Sequence, residues 1–289
     1  MCRRLGPALI VLALVGCGSS SSRHSAPPAG TLDALWHGGG EAVGLISGTT
    51  DYSPGAVRVS FLVVRRNARP VYAPRARVLV ARSLSRPPVE RAWATLERVG
   101  SSGIFVTHVR IARPGRYWLL AVPVGSTVRA LGTLDVRASS FSPAVGARAY
   151  RSRTPTIAST GGDFAQLTTR VPPDRGLLRY SIADSLAARR PFVVVFATPK
   201  FCTSRTCGPA VDVVDAVRRR LRRTDIRFIH VEIYRRNDPT LGQNVFVRQW
   251  HLPSEPWVFL VGADGRIKAK FAGPVSVREL AAAVRSKLS

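Results

Sequence analysis

The sequence predicts two folded parts: an all-β sandwich over residues 39–138 and an α/β domain over residues 177–289, joined by a linker over 139–176. Three observations carry this reading. Between residues 57 and 136, short β-rich runs recur with turn signals between them, the pattern of a sandwich. From residue 192 onward the runs follow a different order: strand, helix, strand, short helix, hairpin, helix. The stretch between the two parts is rich in Ser, Thr, Pro, Gly and Arg and has no sustained periodicity.

The chain opens with a targeting segment over residues 1–16: Arg3 and Arg4, then an apolar run over 8–15 that is too short to span a bilayer. It ends in Leu14-Val15-Gly16-Cys17, which resembles the lipobox of bacterial lipoproteins. The resemblance implies cleavage before Cys17 and a diacylglyceryl chain on its sulfur. Residues 17–38, with Gly18 and Ser19 to Ser22, then read as a flexible tether.

The remaining composition bounds the function. A hydrophobic content of 45% excludes a disordered polymer and permits sizeable cores. The net charge is +26, and the four lysines leave 39 arginines among the 43 basic residues. No nucleic-acid-binding motif accompanies this charge. For an exported protein, the expected partner of such a surface is the anionic face of a membrane. The cysteines stand at 2, 17, 202 and 207, so the folded part has one pair, five positions apart. Such a pair closes too small a loop to constrain much of the unfolded chain, and it points to a reactive rather than a structural role.

In the first part, Val57, Val59, Phe61 and Val63 alternate with Arg58, Ser60 and Leu62. Runs over 77–81, 92–99, 103–111, 117–122 and 127–136 follow, punctuated by Pro54-Gly55, Pro87-Pro88 and Pro114-Gly115. The run from Pro114, PGRYWLLAVPV, resembles the late strand of an immunoglobulin-like domain. No cysteine lies here, so no disulfide joins the sheets. His108 sits within a strand and reads as a surface or satisfied histidine, and the whole reads as a spacer or binding module.

In the second part, Ser181 and Asp184 have capping-box spacing for a short helix. The run of five residues from Phe192 to Phe196 is a short buried strand. It enters a polar turn carrying Cys202 and Cys207, and Gly208-Pro209 begins a helix. Val211, Val214, Val217 and Leu221 recur at helical spacing. A second strand covers 226–233, a short helix 244–250, and a hairpin through Asp264-Gly265 joins 257–261 to 266–271. Ser276 and Glu279 form the capping box of the last helix. A thiol pair between a buried strand and a helix N-terminus suits redox chemistry, because the helix end favours thiolate.

This order, over residues 177–288, resembles the thioredoxin fold. So do Phe196-Ala197-Thr198-Pro199 ahead of Phe201-Cys202, and Pro256 in Leu252-Pro253-Ser254-Glu255-Pro256-Trp257, which matches the family's cis-proline. The resemblance implies a redox-active centre in which Cys202 attacks, Cys207 resolves, and Pro256 shapes the groove for the substrate backbone. The departure is four residues between the cysteines where thioredoxin has two. On one continuous helix, positions five apart point about 140° apart, so either 202–206 is a loop or the segment unwinds when the bond forms. Arg205, between the thiols, is expected to favour the thiolate.

The leading expectation is a lipid-anchored thiol–disulfide oxidoreductase on the extracytoplasmic face of the cell membrane, needing no cofactor or metal and acting on extracytoplasmic thiol or disulfide proteins. Two other readings stand beside it. Cys202 and Cys207 also have the spacing of the bacterioferritin-comigratory (Q-type) peroxiredoxins, although Pro199 occupies the place of the peroxide-binding Thr in that family. A non-enzymatic envelope protein would use the pair as an inert disulfide or to carry copper(I), with His230 or His251 adding a nitrogen. His230, in an apolar strand, reads more simply as a packed core histidine. Glu255 reads as a surface carboxylate, with proton acceptor as the sharper alternative.

Overall fold

The computed structural model describes residues 27–203, 206–221 and 225–288. The leader and Cys17 lie outside the described residues, as does Arg205. None of the described helices is long and apolar enough to cross a membrane.

The first unit begins with α1 (Leu32–His37), capped by the Thr31 hydroxyl, and β1 (Ala42–Ser47). Both fall where the sequence gives little signal, α1 inside the expected tether. Leu32 anchors α1 on the outside of the following strands, against Leu79 and Leu120. Then come β2 (Gly55–Val64), β3 (Arg75–Ala81), β4 (Glu90–Val99), β5 (Ser102–Ile111), β6 (Gly115–Pro123) and β7 (Arg129–Val136). Their spatial order is β1-β2-β5-β4-β3-β6-β7, and β1 pairs with β7 in parallel, Val43 opposite Ala130. The sheet therefore closes on itself, and the interior is filled by Val59, Phe61, Val78, Phe105, Leu119 and Leu134.

The expected immunoglobulin-like sandwich is thus corrected to a closed seven-stranded barrel. Alternating apolar residues put one face inward in either architecture, so the pattern of β2 to β7 cannot separate them. Closure is decided by β1, and its interior Gly44 makes it a weak strand by composition.

The second unit is a four-stranded sheet of order β11-β10-β8-β9, made of β8 (Phe192–Phe196), β9 (Arg227–Val231), β10 (Trp257–Val261) and β11 (Ile267–Ala272). β9 runs parallel to β8, and β10 is antiparallel to both β8 and β11. On one face α3 (Cys207–Leu221) and α5 (Val277–Lys287) pack Val211, Val214, Val217, Leu280 and Val284 against Val193, Val195, Val258 and Leu260. The other face carries Phe196, Trp250, Trp257 and Phe259, whose rings lie 4.8–6.1 Å apart. α2 (Ile182–Ala187) and α4 (Val245–Gln249) cover only part of it, and irregular chain bearing Ala149, Tyr150 and Tyr180 covers the rest.

The α/β thioredoxin-like class expected of this half is corrected together with the sandwich. The described residues are mostly β, a closed barrel and a four-stranded sheet with five short helices. Helical periodicity marks α3 in the sequence and a capping box marks α5, whereas the second face is closed largely by chain without helical repeat.

That chain is the stretch expected to be a linker. Gly146, Ala147 and Ala149 hydrogen-bond the β10–β11 hairpin at Ile267 and Gly265. The Ser152 hydroxyl accepts from Trp250 Nε1 at 3.0 Å and donates to Gln249 at 2.6 Å. Ser152, Thr154 and Thr156 are buried while Arg151, Arg153 and Pro155 are exposed, so the segment lies on the sheet in extended form.

Barrel and sheet also meet through buried polar groups. Arg58 donates to both carboxylate oxygens of Glu279, at 2.6 and 2.9 Å, and to the Pro274 carbonyl at 2.9 Å. Glu97 accepts from Ser276 and Arg278. Asp51 accepts from Ser140, Ser142 and the Phe141 amide, with Lys270 at 3.8 Å. Gly273, at φ +73°, brings the two units into backbone contact: a Cβ there would stand 1.9 Å from the Gly48 carbonyl oxygen.

Candidate redox site

β8 is wholly buried, and burial continues through Ala197 and Thr198. The chain then surfaces at Lys200 and turns, so Cys202 stands at the rim of the sheet, half-buried. α3 begins at Cys207, which is fully buried. The two cysteines therefore belong to a loop and a helix start rather than to one helix, which removes the 140° conflict. Pro209 in the first turn sacrifices no helical bond, because first-turn N–H groups have no intrahelical acceptor.

The thiols are not joined in a disulfide. Their sulfurs and a carboxylate oxygen of Glu255 all lie within 4.8 Å of one another. A hydrogen bond to Cys202 and burial push the Cys207 thiol far up, against a smaller opposing contact with the Thr198 backbone. The physical sense is that Cys207 holds the shared proton and donates it toward Cys202 sulfur. Cys202 is the more exposed of the two, so an incoming disulfide meets it first.

Glu255 is half-buried, and its carboxyl is pushed up to about 7 by burial, then by the negative charges of Cys202 and Glu232. It is thus part of the site and not a surface carboxylate. The Glu255–Pro256 peptide is cis, and Pro256 is buried, with its carbonyl accepting from the Gly273 amide at 2.9 Å. Glu232 is 5% exposed; one of its oxygens accepts from the Thr169 amide and hydroxyl, and the other is buried with no hydrogen-bond partner among the described residues. Tyr234 stands beside the cluster: burial and then the charges of Glu255, Cys202 and Cys207 raise its phenol, and its ring meets Phe201 edge-on at 6.4 Å.

The sequence reading brought out the cysteines and Pro256 but not Glu232 or Tyr234. A signal existed for Glu232, a carboxylate inside the apolar run 226–233. His230 donates from Nε2 to the Ala197 carbonyl at 2.9 Å, and its Nδ1 faces the Thr168 hydroxyl at 3.4 Å. It is a core histidine that ties β9 to the chain leaving β8. His251 is exposed, edge-on to Tyr150. Neither joins the sulfurs. The third group at the pair is a carboxylate, a hard donor that does not suit copper(I). The cluster thus joins two thiols and one carboxyl, and His108, on β5 of the barrel, is not among its members.

No protein-family model, curated protein or solved structure matches this chain.

Proposed function

We propose that this protein is a thiol–disulfide oxidoreductase that uses Cys202 and Cys207, held to the extracytoplasmic face of the membrane by lipid on Cys17. The observation that carries the chemistry is the asymmetric pair: two sulfurs within 4.8 Å, one half-buried and one sealed. The exposed thiolate of Cys202 attacks a substrate disulfide, forming a mixed disulfide and expelling one substrate thiolate. The Cys207 thiol loses its proton and attacks Cys202 sulfur, which releases the second substrate thiolate and leaves the Cys202–Cys207 disulfide. The substrate gains two electrons and the pair loses two. The same steps reversed would oxidise a dithiol. The partners on this reading are exported proteins with thiols or disulfides.

Trapping tests it. Cys207→Ser should accumulate mixed disulfides with substrate proteins, because nothing remains to resolve them, and Cys202→Ser should trap far fewer. Trapping in neither variant refutes the proposal. Hydrogen peroxide consumption by the wild type, faster than by both variants, would reassign the pair to a peroxidase.

A further inference from the structure

The resolving step needs somewhere for the Cys207 proton to go. Cys207 is fully buried at the start of α3, where bulk water cannot take that proton directly. We propose that Glu255 is its acceptor: the carboxylate takes the Cys207 proton, freeing the thiolate that closes on Cys202. This rests on the oxidoreductase reading and names a third catalytic group for it.

Four features place Glu255 for this. Its oxygen lies within 4.8 Å of both sulfurs, near enough for transfer directly or through one water as the site tightens on substrate. It is half-buried, so the same carboxyl reaches solvent and can pass the proton on. Its backbone is fixed by buried Pro256 and the bond from Gly273. Glu232, at the end of β9, keeps its negative charge through the resolving step and strengthens the hold of Glu255 on a proton, while the charge of Cys202, from the loop after β8, acts only before the mixed disulfide forms. Tyr234, after β9, and Cys207, from α3, also face it. The balance is simple. The proton passes from Cys207 sulfur to Glu255, the Cys207–Cys202 bond forms as the Cys202–substrate bond breaks, and the departing substrate thiolate or water recovers the proton from Glu255.

The test is stopped-flow reaction of the reduced protein with a disulfide peptide, with the mixed disulfide quantified by mass after acid quench. In the wild type, resolution should accelerate with rising pH, with an inflection below about 7, because the Cys202 charge that helps raise Glu255 is gone in the mixed disulfide. In Glu255→Gln the first step should not slow, because losing a nearby negative charge favours the Cys202 thiolate, while resolution slows on the order of 10²-fold near pH 7.5, the scale of a lost general base. The mixed disulfide should therefore accumulate as it does in Cys207→Ser. The defect should shrink at high pH, where Cys207 ionises without help. Glu232→Gln should move the wild-type inflection to lower pH, because a repelling charge has gone. Wild-type resolution kinetics in Glu255→Gln, or equal slowing of both steps, would overturn this role while leaving the oxidoreductase reading intact. A wild type that forms no mixed disulfide would instead overturn the oxidoreductase reading.

Discussion

Replacing Glu279 by Gln removes the negative partner of Arg58 at the junction of barrel and sheet. The two side chains are only 11% and 16% exposed and share two hydrogen bonds of 2.6 and 2.9 Å. Gln can accept at one oxygen where the carboxylate accepts at two, and Arg58 Nη1 is already buried with no partner. Breaking a buried pair on one side costs about 3–5 kcal/mol. The residual exposure puts this pair at the low end, about 3 kcal/mol, or a fall in Tm of roughly 6–12 °C for a chain of this size. The double variant Arg58→Met, Glu279→Leu should recover most of that loss, because no charge is then left buried alone. Thermal unfolding followed by far-UV and near-UV circular dichroism should also show one transition, since the buried pairs make barrel and sheet unfold together. A Glu279→Gln protein within about 0.5 kcal/mol of wild type would refute the reasoning. So would a double variant as unstable as the single one.

Two further outcomes follow. Asp51 is held below the usual carboxylate range: burial opposes ionisation, but hydrogen bonds from Ser140, Phe141 and Ser142, with Lys270, outweigh it. A carboxyl whose folded value is depressed contributes stability above its unfolded value of about 3.9 and loses it as pH falls further. Urea midpoints should therefore drop between pH 7 and pH 3, and drop less in Asp51→Asn; equal drops would sink the argument. Cys17→Ala should prevent lipidation, leaving the protein unprocessed or released to the medium. Continued partition into detergent as an acylated protein would contradict the anchor.

Much of the local structure was legible because local rules decide it. Ser276 caps α5 and Ser181 caps α2 at the spacing the sequence showed, and β8 is the buried run of five apolar residues. Glu279 was read as the other half of the α5 capping box, yet its side chain turns to Arg58 on β2. A charge 221 residues away in sequence cannot be foreseen from spacing. The same limit explains the barrel: alternation specified which side chains of β2 to β7 face inward, while closure depended on parallel pairing of β1 with β7. Residues 139–176 read as a linker, with part of it against one of the domains, because Ser and Thr have no apolar period. They are held by hydrogen bonds from hydroxyls and backbone, such as Thr154 with the Ile182 amide. At the site, both cysteines and Pro256 were found from their neighbours in sequence. Glu255 reads as a surface carboxylate in the sequence, because only the fold turns it inward to the sulfurs.

The central claim is that Cys202 and Cys207 exchange electrons reversibly. Equilibrating the intact protein with glutathione buffers and measuring the fraction of pair oxidised gives its reduction potential. A reversible pair should give a value between about −120 and −270 mV, the span of catalytic dithiols. A potential below about −300 mV would mark the pair as an inert structural bond and rule out the exchange chemistry.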